Sequence, residues 1–167
     1  IPASWISRKS PSTRHRGFNP ADICTSETAN TGHLVFGTLH TNTAVSTVSR
    51  IVDMFPAEQQ NQIRSVLADI LKAVVAQTLC RRIGGGRVAV LEILVTDTGI
   101  CNLIRDNKLH QILSAMQMGR ARGNRVLNEE LSRLVEEKIV SQEEAMTKAA
   151  DKADLADKFK NIGEATA

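Results

Sequence analysis

A chain of 167 residues with 42% hydrophobic but only 3% aromatic side chains has room for one core, built from Leu, Ile, Val, Ala and Met. That palette suits helices packed on a parallel sheet better than an aromatic-rich β-sandwich. The formal charge of +3 belongs to residues 1–26, where Arg8, Lys9, Arg14 and Arg16 face Asp22 alone, so the remainder is neutral and carries no basic stripe for nucleic acid.

Residues 1–26 mix Ser, Pro, Arg and Lys without a sustained period and read as a disordered extension. Their opening stretch has no long apolar centre, so no secretory signal is expected, and no segment reaches the roughly 20 apolar residues of a membrane helix. Cys24, Cys80 and Cys101 are widely spaced and form no CxxC pair, which argues for reduced thiols of a cytosolic protein rather than a disulfide framework or a zinc site.

The stretch TGHLVFGTLHTN brackets an apolar run with His33 and His40. Apolar on both alternating faces, the run predicts a parallel strand covered by helices on both sides. Thr41-Asn42-Thr43 then offers a helix cap, followed by a stripe of Val45, Val48 and Val52. After Pro56, the spacing of Ile63, Val66, Leu67, Ile70, Leu71, Val74 and Val75 predicts one core-facing helix. QTLCRRIGGGRVAVLEILV reads as strand, turn and strand, with Gly84, Gly85 and Gly86 supplying the turn. A phosphate cradle would need a helix after those glycines, and a strand follows. Asp97-Thr98 opens a helix, Asn107 marks a break before another, and GRARGN is a loop. Leu127, Leu131, Leu134 and Val135 stripe a further helix, and Ser141 with Glu144 forms a capping box for a last one. The polar tail from Asp151 is expected to fray.

Gly32 and Gly37 have the spacing of P-loop glycines, but the lysine that should follow the second is absent and the residues between are strand-like. At the carboxyl rim of a parallel strand, His40 would be placed to donate a hydrogen bond to a phosphate. Capping of the next helix is an equally available role. Two imidazoles seven residues apart across a strand do not make a metal site.

TGHLVFGTLHTNTAVSTVSRIVDMFP resembles the His-box region of the secretion-superfamily ATPases that drive type IV pili and type II secretion. FPAEQQNQIRSVLADILKAVVAQTLCRRIGGGRVAVLEILV is similar to the pilus retraction, or twitching-motility, branch. GICNLIRDNK resembles that branch's Ala-Ile-Arg-Asn-Leu-Ile-Arg-Glu signature: Ile100, Asn102, Leu103, Ile104 and Arg105 match, Asp106 replaces Glu, and Gly99 and Cys101 depart from it. The likeness runs from about residue 27 to about residue 159.

The resemblance implies an α/β fold, the carboxyl-terminal part of a RecA-like P-loop ATPase domain followed by a helical bundle. The expected division is a non-family extension over 1–26, a partial ATPase core over 27–96, a helical subdomain over 97–160 and a tail over 161–167. It further implies a cytoplasmic hexamer at the inner face of the membrane that uses ATP and Mg²⁺ and works with an inner-membrane pilus platform protein. By analogy His40 senses the terminal phosphate with His33 in support, and Thr41 shares the nucleotide contact. The helix of Asn102 to Arg105 transmits motion or meets the platform protein, with Arg105 and Asp106 facing outward. No Walker A or Walker B sequence is found, so the chain alone is expected to be inactive. The rival readings are a pilus-extension or type II secretion ATPase, and a non-catalytic helical assembly module.

Overall fold

The computed structural model describes residues 3–7 and 35–165. Strand β1 (Ala3–Ser7) is followed by β2 (Val35–Leu39), α1 (Ala44–Asp53), α2 (Ala57–Ile70), β3 (Ala73–Arg81) and β4 (Arg87–Val95). Helices α3 (Thr98–Arg105), α4 (Ile112–Met118), α5 (Leu127–Glu136), α6 (Gln142–Lys148) and α7 (Lys152–Ala165) complete the chain, with 3₁₀ turns at Leu109–Gln111 and Arg120–Arg122. The strands form one sheet in the order β2-β1-β3-β4.

Every pairing in that sheet is antiparallel. This corrects the expectation of a parallel strand at residues 33–39. Residues 3–7, expected to be disordered, supply the neighbour: Trp5 lies opposite Gly37 on one side and Val74 on the other. Nor is β2 covered on both faces, since Gly37 and Leu39 are buried while Phe36 is 61% exposed. An apolar run alone cannot distinguish a strand buried on both faces from one buried on a single face.

The helix expected to run through Val75 stops at Ile70. Val74 and Val75 happen to keep the helical phase, but Ala73-Val74-Val75 pairs with both β1 and β4. β-Branched neighbours lose less side-chain freedom in a strand than in a helix, and the ladder partners decide the matter. At the β3–β4 turn Gly84, Gly85 and Gly86 take φ of 89°, 107° and 77°, the left-handed values that other residues resist. Asn107, with φ of 58°, separates α3 from the following turn, as the change of stripe requires.

Two apolar clusters share the sheet. The first gathers Ile51, Leu67, Leu71, Val74, Leu94, Ile100, Ile104 and Met116, from α1 to α4 and one end of β3–β4. At the other end of the same hairpin, Cys80 and Val90 join Leu131, Leu134, Val140, Ala145 and Leu155. The tail expected to fray is α7, with Leu155 fully buried and Phe159 packed on this second cluster. Asn128 fixes its start: the side-chain amide donates to the Asp151 carbonyl and to the Asp154 carboxylate, each at 2.7 Å. The expected capping box at α6 is only half made. Ser141 Oγ accepts from the Glu144 amide, but the Glu144 carboxylate accepts from the Arg81 amide of β3 at 3.1 Å instead.

Candidate functional site around His40

β2 ends at Leu39, which is buried, and the chain turns outward at His40, which is exposed. The helix cap is Thr43, not the histidine. Its hydroxyl accepts from the Ser46 amide at 3.1 Å, and its own amide donates to Ser46 Oγ at 3.3 Å, closing a reciprocal box. Thr47, fully buried one turn into α1, donates its hydroxyl to the Thr43 carbonyl at 2.8 Å. The Thr41 hydroxyl is 2.7 Å from Thr47 Oγ1, and because the Thr47 hydrogen is committed to Thr43, Thr41 is the donor in this pair.

The arithmetic of donors sorts the loop. A phosphate only accepts hydrogen bonds, and Thr41 has spent its one hydroxyl hydrogen on Thr47. In this geometry Thr41 is a pin that holds the loop, while the His40 ring and the Asn42 carboxamide are exposed side chains able to donate. His33, the other expected histidine, lies outside the described residues. Grooves of about 670 Å³ and about 470 Å³ flank Thr43, with Arg50 lining one and Lys148 the other. Among the described residues no group of three or more His, Cys, Asp or Glu side chains gathers as a metal site.

A residue that sequence reasoning passed over lies directly beneath the loop. Glu92 of β4 is 3% exposed, and its Oε1 accepts from the Ala44 amide at 2.6 Å. Its Oε2 accepts from the Leu127 amide at 3.3 Å, at the start of α5. Each amide opens a helix and has no intrahelical acceptor, so the carboxylate meets the positive ends of two helices at once. Burial still raises the Glu92 carboxyl above its ordinary range, the two amides working in the opposite direction. The available signal was parity. Val90, Glu92 and Leu94 share one face of the strand, so an acidic residue sits where an apolar one belongs.

The signature helix α3 divides as its stripe predicts. Ile100 and Ile104 are buried in the first cluster with Leu103 half-buried against it, while Asn102, Arg105 and Asp106 are exposed. Arg105 pairs with Asp69 of α2 at 2.9 Å and also donates to Asn102 at 2.9 Å. Asp106 meets Lys108 at 3.1 Å. His40 does not contact this helix through the polar groups just named; what joins them is the apolar cluster that holds both Leu39 and Ile104.

A mixed α/β unit with an exposed histidine leaving a sheet strand, a capped helix behind it and helices following the hairpin matches a known class. The family model described as Type II/IV secretion system protein matches residues 16–147, and the chain belongs to that family. The match opens inside the stretch read as a non-family extension. The chain is 49% identical over 121 residues to the type IV pilus retraction ATPase PilT of Pseudomonas aeruginosa, covering 72% of this chain and 35% of that protein. To a twitching motility protein of Neisseria gonorrhoeae it is 47% identical over 122 residues, covering 72% of this chain and 33% of the relative. The crystal structure of the pilus retraction motor PilT with bound ADP superposes with a TM-score of 0.71 at 46% identity, over 81% of this chain and 37% of that one. The chain thus spans about a third of the length of the relatives it matches. Its fold corresponds to the carboxyl-terminal part of their ATPase domain. No helix among the described residues is long and apolar enough to cross a membrane.

Proposed function

We propose that this chain is the His-loop-bearing part of an ATP-driven motor that retracts type IV pili. The observation that carries the reading is a loop whose hydroxyls are spent on one another while the His40 ring stays exposed, in a chain 49% identical to a retraction ATPase. His40 donates an N–H to the terminal phosphate of an ATP that is held mainly by residues outside this chain, with His33 in support. Stabilising charge on the transferred phosphoryl group is the main task of such a site, and a positioned donor serves it.

Described residues that offer neither a Gly-Lys loop nor a cluster of acidic groups do not fit Mg²⁺, and they cradle no triphosphate. The cation and the phosphate loop therefore come from elsewhere in the motor, and the chain alone neither binds ATP tightly nor hydrolyses it. In a hexamer working at the inner face of the membrane, Asn102, Arg105 and Asp106 on the open side of α3 face the platform protein or a neighbouring subunit.

The test is a graft. Residues 16–147 replace the corresponding segment of the Pseudomonas retraction ATPase, and hydrolysis is measured with and without His40→Ala. The grafted protein is expected to turn over ATP, and the substitution to lower kcat by about 10²-fold, the usual cost of removing one charge-stabilising donor, with the thermal midpoint unchanged. A folded graft without turnover, or a variant with near-parental kcat, contradicts the reading.

A further inference from the structure

The two apolar clusters meet along β4, and the residue at their seam is charged. Val90 belongs to the second cluster, Leu94 to the first, and Glu92 stands between them on the same strand face. Across the ladder its partner is Ala76, 1% exposed, whose small side chain leaves room for the carboxylate. From this position Glu92 takes the first amide of α1, four residues after His40, and the first amide of α5, which carries Leu127, Leu131 and Leu134 into the second cluster.

A buried carboxylate is costly without full pairing, and an apolar residue here would pack into either cluster at no such cost. What the carboxylate supplies in return is specific. Each oxygen holds one helix start, so neither helix can shift without moving the shared acceptor.

We propose that Glu92 is a positioning residue that latches the His40 loop to the helical region beginning at α5, so that displacement of one is felt by the other. Its consequence for nucleotide sensing rests on the function proposed above. The latch itself is tested on this chain without nucleotide, so failure of one is distinguishable from failure of the other.

The experiment is amide hydrogen exchange resolved by NMR on the full 167-residue chain. Ala57 is an internal control, because it also opens a helix, after Pro56, with no side-chain cap bond. In the wild type the Ala44 amide should exchange at least about tenfold more slowly than that of the exposed Ala57, since Ala44 is buried and donates to a buried carboxylate, and the Glu92 variants separate these two causes. Equal rates would overturn the latch before any substitution is made. In Glu92→Gln one oxygen becomes a donor that faces a donor, and protection should fall at Ala44, Leu127 or both. Glu92→Met, which removes both acceptors and adds no donor, gives the same readout if the glutamine variant does not fold.

The coupling is read by a cycle. Asn128→Ala removes the bonds that tie the first turn of α5 to Asp151 and Asp154 at the start of α7, and it should shift the amide resonances of Thr41 to Ala44 in the wild type but not in the Glu92 variant. Equal shifts in both backgrounds would reduce Glu92 to a local packing role and overturn the proposal.

Discussion

The two clusters are built on opposite ends of one hairpin, yet they are held differently. The first is mainly apolar: Ile51, Leu67, Leu71, Leu94, Ile100, Ile104 and Met116 come from five elements, with polar links such as Arg105–Asp69 at its surface. The second is smaller and leans on polar anchors. Asn128 ties α5 to α7, the Glu144 carboxylate caps the Arg81 amide, and the Ile83 amide donates to the Ile139 carbonyl at 2.9 Å. Non-directional burial sets how strongly a region holds, whereas directional bonds set which partner it holds. The His40 loop sits over the first cluster, and the shared carboxylate of Glu92 joins it to the second.

The largest effect should separate the clusters. Leu67→Ala in the first is expected to cost about 2–5 kcal/mol, the usual range for a fully buried leucine, and to lower the global unfolding midpoint in urea. Leu155→Ala in the second removes an equally buried side chain, but its effect should concentrate in α7. Exchange there should quicken while the amides of α2 stay protected. A uniform loss in both variants would mean that the clusters unfold as a single unit.

A smaller effect is a difference of sign with pH. Around Asp154 desolvation pushes the carboxyl up, but the Asn128 hydrogen bond and the bond and charge of Lys158 outweigh it, and the net direction is down. Asp154 therefore contributes stability that is present above its unfolded value and lost as pH falls through the lower folded value. Glu92 goes the other way. Its carboxyl is raised, the folded state holds a proton that the unfolded chain releases, and stability declines as pH climbs from the unfolded to the folded value. Urea unfolding from about pH 3 to about pH 7 should show Asp154→Asn flattening the acid limb and Glu92→Gln flattening the limb above it. The same change of slope in both variants would refute the contrast.

The smallest effect belongs to the signature helix. Arg105 and Asp69 are 41% and 68% exposed, so Arg105→Ala should cost under about 1 kcal/mol in thermal unfolding. A large loss would place Arg105 in the first cluster's support rather than on an open face.

The same contrast explains what the sequence could tell. The first cluster was legible because Ile63, Leu67 and Ile70, then Ile100 and Ile104, repeat at helical spacing. The cap at Thr43 and the glycine turn were legible from local chemistry. Val74 and Val75 were misread because their helical phase was accidental and ladder partners distant in sequence settled their conformation. β2 was misread as parallel because its neighbour comes from residues 3–7, whose pattern carries no strand period. Helix α7 was missed because its few apolar residues, Leu155 and Phe159, are scattered among charges, and its anchor is Asn128 in another helix. At the site, His40 was visible as an imidazole leaving an apolar run. The commitment of Thr41 to Thr47, and the double role of Glu92, depend on distances that spacing does not encode.

The central functional claim is that this chain presents a histidine to a nucleotide that other parts of the motor hold. Calorimetric titration of the chain with ATP and Mg²⁺ addresses it most directly. The account predicts no binding tighter than about 1 mM, a free energy of only about −4 kcal/mol. A micromolar Kd would contradict it, since this chain would then have to cradle the triphosphate itself.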